Sequence, residues 1–178
     1  MSRALGRFAL FAALALPAPA AAQTGEALIR KLGANTPIQN PTFPAPKELT
    51  YKVSWDVTQG PEKPEDMVSG FRIPANFLVM TDAEGVDRKQ VHLAIIVHGT
   101  ATRSLLTNEA YKAQTGKDNA SIPLLQALHE AGVQIIVCGQ ALGNRNVPRE
   151  QLLPFVTVST SATLARAVLA AQGYATFQ

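Results

Sequence analysis

The stretch Gly132-Val133-Gln134-Ile135-Ile136-Val137-Cys138-Gly139-Gln140 decides the fold of this chain. Its β-branched apolar run, Val133 to Val137, indicates a buried parallel strand, and Gly139 marks the break that follows. The run leads into Cys138, the only cysteine in the sequence. Ligands of open parallel sheets bind outside the carboxyl ends of the strands. We therefore expect the one available thiol at the edge where such folds carry out their chemistry.

A second apolar run has the same pattern and is followed by a histidine. Residues Gln90 to Val97 predict a buried strand, and His98-Gly99 follows it directly. Further short strands are predicted over Leu49–Val57, Phe155–Val158 and Tyr174–Phe177. Helical segments alternate with these strands, which predicts an α/β fold with a mostly parallel sheet of about five strands, covered on both faces in three layers.

Five helical segments are expected between the strands. They cover Glu26–Leu32, Asp66–Glu84, Thr102–Ala113 (a short helix or a lid), Ile122–Ala131 with Pro123 in its first turn, and a last helix capped by Ser159 or Thr160 and running to Ala171. Pro74 should kink or delay the second of these helices. The segment Gly143–Glu150 is predicted to be a polar loop.

The amino terminus has the pattern of an export signal. Arg3 and Arg7 precede an apolar segment, Phe8–Leu16, and Ala20-Ala21-Ala22 offers a cleavage site. An uncleaved membrane anchor is the alternative, but the apolar run is shorter than the roughly 20 residues that a span needs. We predict a signal peptide over 1–22, a Pro-rich lead-in over 23–47 and one α/β domain over 48–178, located in the periplasm.

Charge and motifs exclude several classes of function. Loss of Arg3 and Arg7 with the leader lowers the formal charge from +3 to +1, which argues against a nucleic-acid-binding surface. No later stretch is long and apolar enough to predict membrane attachment after cleavage. The GxSxG, CxxC, HExxH and Walker patterns are absent from the sequence, and three separated histidines with one cysteine do not predict a metal site. No cofactor is expected.

Cys138 and His98 are the candidate catalytic residues. Backbone N–H groups of a glycine-containing turn can support a thiolate at Cys138, and His98 could exchange protons with it. The alternatives are a buried, inert cysteine and a histidine bonded to a backbone carbonyl. Neighbouring residues form the predicted substrate-binding set: Gly99, Gly139, Gln140 and Arg145. Arg145 could equally be a solvated loop residue.

The second half of the chain resembles the DsrE/DsrF-like family, which includes the TusD-type sulfur-relay subunits. The resemblance rests on His98-Gly99, the helix Ile122–Ala131, the segment Val137-Cys138-Gly139-Gln140, and the strand, helix and strand that follow. It extends from about Leu49 to Gln178 and is strongest after Gln90. Two departures are the export signal and the lack of the glycine-containing loop that relay subunits have after the first strand.

The resemblance implies that Cys138 accepts sulfane sulfur as a persulfide and passes it on. It also implies a compact α/β sandwich, assembly into a homotrimer or homohexamer, and a protein partner that donates or accepts sulfur. Two alternatives stay open. The chain could be a non-enzymatic periplasmic binding or assembly module in which Cys138 is structural, or a redox protein that needs an external resolving thiol.

Overall fold

The computed structural model describes residues 25–177. Its five strands are β1 (Tyr51–Val57), β2 (Val91–Val97), β3 (Gln134–Cys138), β4 (Thr157–Ser159) and β5 (Ala175–Phe177). Its six α-helices are α1 (Gly25–Leu32), α2 (Arg72–Ala83), α3 (Asn108–Thr115), α4 (Ile122–Glu130), α5 (Gly139–Gly143) and α6 (Ala162–Ala171). Short 3-10 helices occupy Ser69–Phe71, Arg88–Gln90, Gly99–Leu105 and Arg149–Gln151.

The five strands form one sheet in which every pair is parallel. Their order is β4-β3-β2-β1-β5, so β2 is central and the last strand of the chain lies at an edge beside β1. This arrangement, with helices on both sides, confirms the predicted α/β class. Parallel neighbours need a crossover connection, which explains why helices separate consecutive strands along the chain.

The two faces of the sheet bury cores of different size. The larger core lies under α1, α2 and α4, which contribute Ile29, Leu78 and Leu125 to it, each at most 1% exposed. The smaller core lies under α6 and contains mainly small side chains from the helix and the sheet: Ala94, Ile96, Cys138, Ala141, Ala162, Ala165 and Leu169. Alternation along β2 sends Ile95 to the first core and Ile96 to the second.

Two predicted helices start and end at the wrong residues. The helix expected over Asp66–Glu84 begins only at Arg72, which places Pro74 in the first turn, where backbone N–H groups have no partner within the helix. The helix or lid expected over Thr102–Ala113 is instead the 3-10 helix Gly99–Leu105 followed by α3, whose N-cap Thr107 accepts a hydrogen bond from the Ala110 amide. The single segment predicted over Thr102–Ala113 therefore contains the end of one helix, at Leu105, and the start of another, at Asn108.

Smaller differences follow in the second half. Helix α5 occupies a segment for which no helix was predicted, because its five residues begin and end with glycine. Strand β4 covers Thr157–Ser159, shifted from the predicted Phe155–Val158. The cap of α6 is Ser161, whose hydroxyl accepts from the Leu164 amide, and not Ser159 or Thr160.

The amino-terminal part combines a packed helix with irregular chain. Helix α1 lies within the predicted lead-in, yet its Ile29 is 1% exposed and belongs to the larger core. The rest of the lead-in, 33–47, has no regular helix or strand. The predicted signal peptide, 1–22, lies outside the described residues. None of the helices between residues 25 and 177 has the length and apolar character needed to cross a bilayer.

Candidate functional site

The carboxyl ends of β2 and β3 bring the two candidate catalytic residues to one edge of the sheet. The last paired residues of these strands are Val97 and Val137, so His98 and Cys138 are the next residues on neighbouring strands. Cys138 packs with Ile96 in the core beneath α6, which places it on the same face of the sheet as that residue. The alternation of side chains along β2 gives His98 this face as well.

A glycine follows each of these residues, and in both cases a neighbouring backbone requires it. A Cβ on Gly99 would lie 2.5 Å from the Thr58 carbonyl oxygen, and φ at Gly99 is +59°. A Cβ on Gly139 would lie 2.8 Å from the Ser159 carbonyl oxygen. Separations this short are repulsive. A larger residue at position 99 would therefore displace the backbone after β1, and one at position 139 would displace the end of β4. Gly99 and Gly139, which were predicted to bind substrate, therefore have a clear structural role.

His98 is held by a carboxylate from the adjacent strand. Its Nε2 lies 3.1 Å from Oδ2 of Asp56, and the same oxygen accepts a hydrogen bond from Nη1 of Arg166 on α6. The Asp56 side chain is only 6% exposed, whereas His98 and Arg166 are 28% and 27% exposed. Arg166 also donates to Thr163 at 3.3 Å. The result is a three-residue ionic cluster that joins β1, β2 and α6.

The ionic cluster fixes the orientation of the histidine ring. With Nε2 directed at Asp56, Nδ1 is the ring nitrogen left for proton exchange. Oδ1 of Asp56 is buried and has no hydrogen-bond partner, so the carboxylate depends on its contacts through Oδ2. A histidine oriented by a carboxylate is the arrangement that general acid–base chemistry uses.

Sequence reasoning did not identify Asp56 and Arg166, although each carries a signal. Asp56 is a charged residue within a strand of a parallel sheet, where charge is rare unless it is paired. Arg166 is the only charged residue in α6. The sequence could not pair them because 110 positions separate them.

The thiol of Cys138 lies at the rim of the smaller core. The residue is 7% exposed and packs against small and apolar side chains, including Ala141 and Ala162. Ser159 is its neighbour on β4, on the side away from β2. Helix α5 begins directly after the cysteine, and the N–H groups of a first helical turn have no partner within the helix. The Gln140 side chain is turned towards the Thr160 carbonyl, at 3.4 Å.

Arg145 lies at the same sheet edge but lines a separate cavity. Its Nη1 donates to the Ala141 carbonyl at 3.3 Å, and its side chain lines a cavity of about 530 Å³ together with Thr100 and Arg103. Cys138 and His98 are not part of the lining of this cavity. The structure therefore brings the other predicted site residues together around His98 and Cys138, whereas Arg145 lines this separate cavity. Between residues 25 and 177, no group of three or more His, Cys, Asp or Glu side chains could hold a metal ion.

Comparison with known proteins identifies a family and similar solved structures. The model of the DsrE/DsrF-like family matches residues 53–178. The solved structure of MTH1491, a protein of unknown function from Methanobacterium thermoautotrophicum, matches with a TM-score of 0.46 and 15% sequence identity, over 71% of this chain and 97% of that one. No curated protein matches. Because the family model covers all five strands except the first residues of β1, the chain belongs to the DsrE/DsrF-like family.

Proposed function

We propose that this chain is an exported persulfide carrier or sulfurtransferase in which Cys138 accepts the sulfur. The observation that carries the proposal is the position of this thiol at the end of β3, on the face and edge of the sheet where His98 directly follows β2. Membership of the DsrE/DsrF-like family supports the same reading at the level of fold. The leader pattern in residues 1–22 is the support for the periplasm as its compartment.

The transfer needs no outside oxidant or reductant. The Cys138 thiolate attacks the outer sulfur of a donor persulfide, R–S–SH, and forms a new S–S bond. The donor's own S–S bond breaks, and the donor leaves as the thiolate R–S⁻. Cys138 becomes a persulfide, Cys–S–SH, so the sulfane sulfur has moved without net oxidation. Transfer to an acceptor is the same step in reverse.

We assign the following roles in this step to groups near Cys138. N–H groups at the start of α5, beginning with Gly139, can donate to the negatively charged sulfur. Nδ1 of His98 can remove the thiol proton and return it to the leaving thiolate, while Asp56 stabilises the protonated ring. Gly139, His98 and Asp56 all lie at or next to the carboxyl ends of their strands.

Self-association and a protein partner belong to the same proposal. Leu164 and Val168 lie on the outer side of α6 and are 48% and 49% exposed. Adjacent apolar side chains on a small domain favour an interface. A homotrimer or homohexamer that uses this side of α6 would cover them, and a sulfur donor or acceptor protein would approach the open edge of the sheet.

The low exposure of Cys138 favours one alternative, a binding or assembly module in which the cysteine is structural. At 7% exposure, the thiol could be a core residue beside Ala141 and Ala162. The two functions differ in what they predict for the folded protein. A carrier must react as a folded protein, whereas a structural cysteine reacts only when the domain unfolds.

Intact-mass measurement after incubation with glutathione persulfide tests the proposal. We expect a gain of roughly 32 Da, the mass of one sulfur atom, that a reductant removes, and no gain in Cys138→Ser. His98→Gln should slow loading about 100-fold, while His92→Gln, which alters the exposed histidine near the other end of β2, should not change it. Loading of Cys138→Ser, or a wild-type thiol that iodoacetamide reaches only in urea, would contradict the proposal.

A further inference from the structure

A second candidate site lies on the larger-core side of the carboxyl edge, in the cavity that contains Arg145. The cavity measures about 530 Å³, within the range of about 300–1,000 Å³ that small-molecule sites occupy. Its walls come from the segment after β1, the 3-10 helix after β2 and α3, and Arg145 follows α5. Loops after three neighbouring strands therefore enclose it, as at the ligand sites of open parallel sheets.

Two arginines without acidic partners give the cavity its charge. Arg103 and Arg145 line it, and within residues 25–177 neither guanidinium lies within salt-bridge distance of a carboxylate. Glu62 is the single acidic residue of the lining, and it is exposed. Guanidinium groups bind oxyanions through paired N–H donors, so two of them on one cavity favour a negatively charged ligand.

A buried hydroxyl without a partner is the second, independent observation. Ser104 lines the cavity, is 1% exposed, and its Oγ forms no hydrogen bond. Buried polar atoms are nearly always paired, because an unpaired one loses its bonds to water without replacement. The neighbouring Thr100 hydroxyl differs, since it accepts from the Gly60 amide at 2.8 Å and is within reach of the Thr58 carbonyl. Among the residues that line the cavity, Ser104 is thus the one whose side-chain oxygen is buried and unpaired.

The wall of the cavity is fixed before any ligand arrives. The Tyr111 hydroxyl donates to the Pro64 carbonyl at 2.7 Å and so holds the segment after β1 against α3. Burial raises the pKa of the Tyr111 phenol, Glu65 adds to the rise and Arg103 opposes it, so the neutral O–H is the form that makes this bond. A wall held in this way reduces the ordering that a ligand would otherwise have to impose.

We propose that this cavity binds the oxyanion group of a small anionic molecule, held by the guanidinium groups of Arg103 and Arg145 and by the Ser104 hydroxyl. The site is independent of sulfur chemistry at Cys138, since its lining does not include that residue. Phosphates, thiosulfate or sulfonates, and carboxylates share the chemistry that these donors recognise.

Isothermal titration with sodium phosphate, sodium thiosulfate and sodium acetate, at pH 7 and constant ionic strength set with sodium chloride, tests this site. At least one of the three anions should bind at one site per chain, and the one that binds best identifies the type of head group. Arg103→Gln and Arg145→Gln should each weaken that binding about tenfold or more. Arg149→Gln alters an exposed arginine outside the lining and should leave the affinity within about twofold of wild type.

Ser104→Ala separates a binding role from a structural one. Because the hydroxyl has no partner in the protein, its removal should not lower the thermal midpoint of the anion-free protein, yet it should weaken anion binding. Cys138→Ser should bind the anion as wild type does, so this result does not depend on the outcome of the persulfide experiment. Absence of binding by all three anions, or equal affinity in wild type and both arginine variants, would overturn the proposal.

Discussion

Removal of Arg166 should destabilise the protein more than removal of the carboxylate it binds. In Arg166→Gln, the Asp56 carboxylate stays in place at 6% exposure and keeps only the His98 ring as a partner. A buried charge that loses its partner costs about 3–5 kcal/mol. His98 retains part of the compensation, so we expect a loss of about 2–4 kcal/mol in the free energy of unfolding.

Asp56→Asn should cost less because it leaves no buried charge behind. Arg166 is 27% exposed and also donates to Thr163, so water and this hydroxyl can satisfy the guanidinium. The amide oxygen of asparagine can still accept one hydrogen bond. The remaining cost is the loss of charge assistance in the contacts with His98 and Arg166, about 1–2 kcal/mol.

The double variant gives the decisive comparison. With both Asp56→Asn and Arg166→Gln, no buried charge is left unpaired, so this protein should be more stable than Arg166→Gln alone. Urea unfolding at pH 7 measures all four corners of the cycle, and Arg72→Gln, at an exposed position of α2, serves as the matched control within about 0.5 kcal/mol of wild type. A double variant no more stable than Arg166→Gln, or a loss below about 1 kcal/mol in Arg166→Gln, would refute the reasoning.

Two further predictions concern single positions. Gly139→Ala should cost about 1–3 kcal/mol in the free energy of unfolding measured in urea, because its Cβ would lie 2.8 Å from the Ser159 carbonyl oxygen. Gly143→Ala should not be destabilising, since its Cβ would meet no atom within 4 Å. Equal losses of stability in the two variants would exclude the steric reason. The Asp118 carboxyl should titrate below its ordinary pKa, because the Asn108 side chain and then Lys112 donate to it at 2.8 and 3.1 Å. The stabilising effect of the Asp118 carboxylate is therefore complete above the ordinary pKa and is lost as the pH falls through the lowered pKa. A carboxyl NMR titration of the wild type would measure the lowered pKa. The same titration of Asn108→Ala should give a smaller shift.

The sequence predicted well those features that depend on residues close together in the chain. The apolar runs before His98 and Cys138 are long and β-branched, so their strands, their direction and their shared edge could be inferred from periodicity and from the parallel connection rule. Helix boundaries were less predictable. Pro74 is compatible with a helix only in its first turn, and sequence alone did not say that the helix would begin at Arg72.

The parts of the site that sequence could not predict depend on long-range packing. Asp56 meets Arg166 because α6 packs back on the sheet, against β2 and β3, and the Arg166 side chain reaches the carboxylate on β1, a contact that no local pattern encodes. Arg145 follows Cys138 by only seven positions, but α5 intervenes and Arg145 lines the cavity with Arg103, whereas Cys138 does not. Proximity in sequence was therefore a poor guide to proximity in the site, and the charged residues inside apolar elements were the better signal.

The two crowded glycines, Gly99 and Gly139, have a consequence for how related sequences are compared. The crowding that excludes a side chain at either position comes from backbone carbonyl oxygens, and the His98 imidazole and the Cys138 sulfur play no part in it. The architecture therefore requires both glycines whether or not the residues before them are reactive. A descendant could lose its thiol and still have to keep both glycines. Each of the His-Gly and Cys-Gly dipeptides thus combines a steric requirement, at the glycine, with the chemistry proposed for the residue before it.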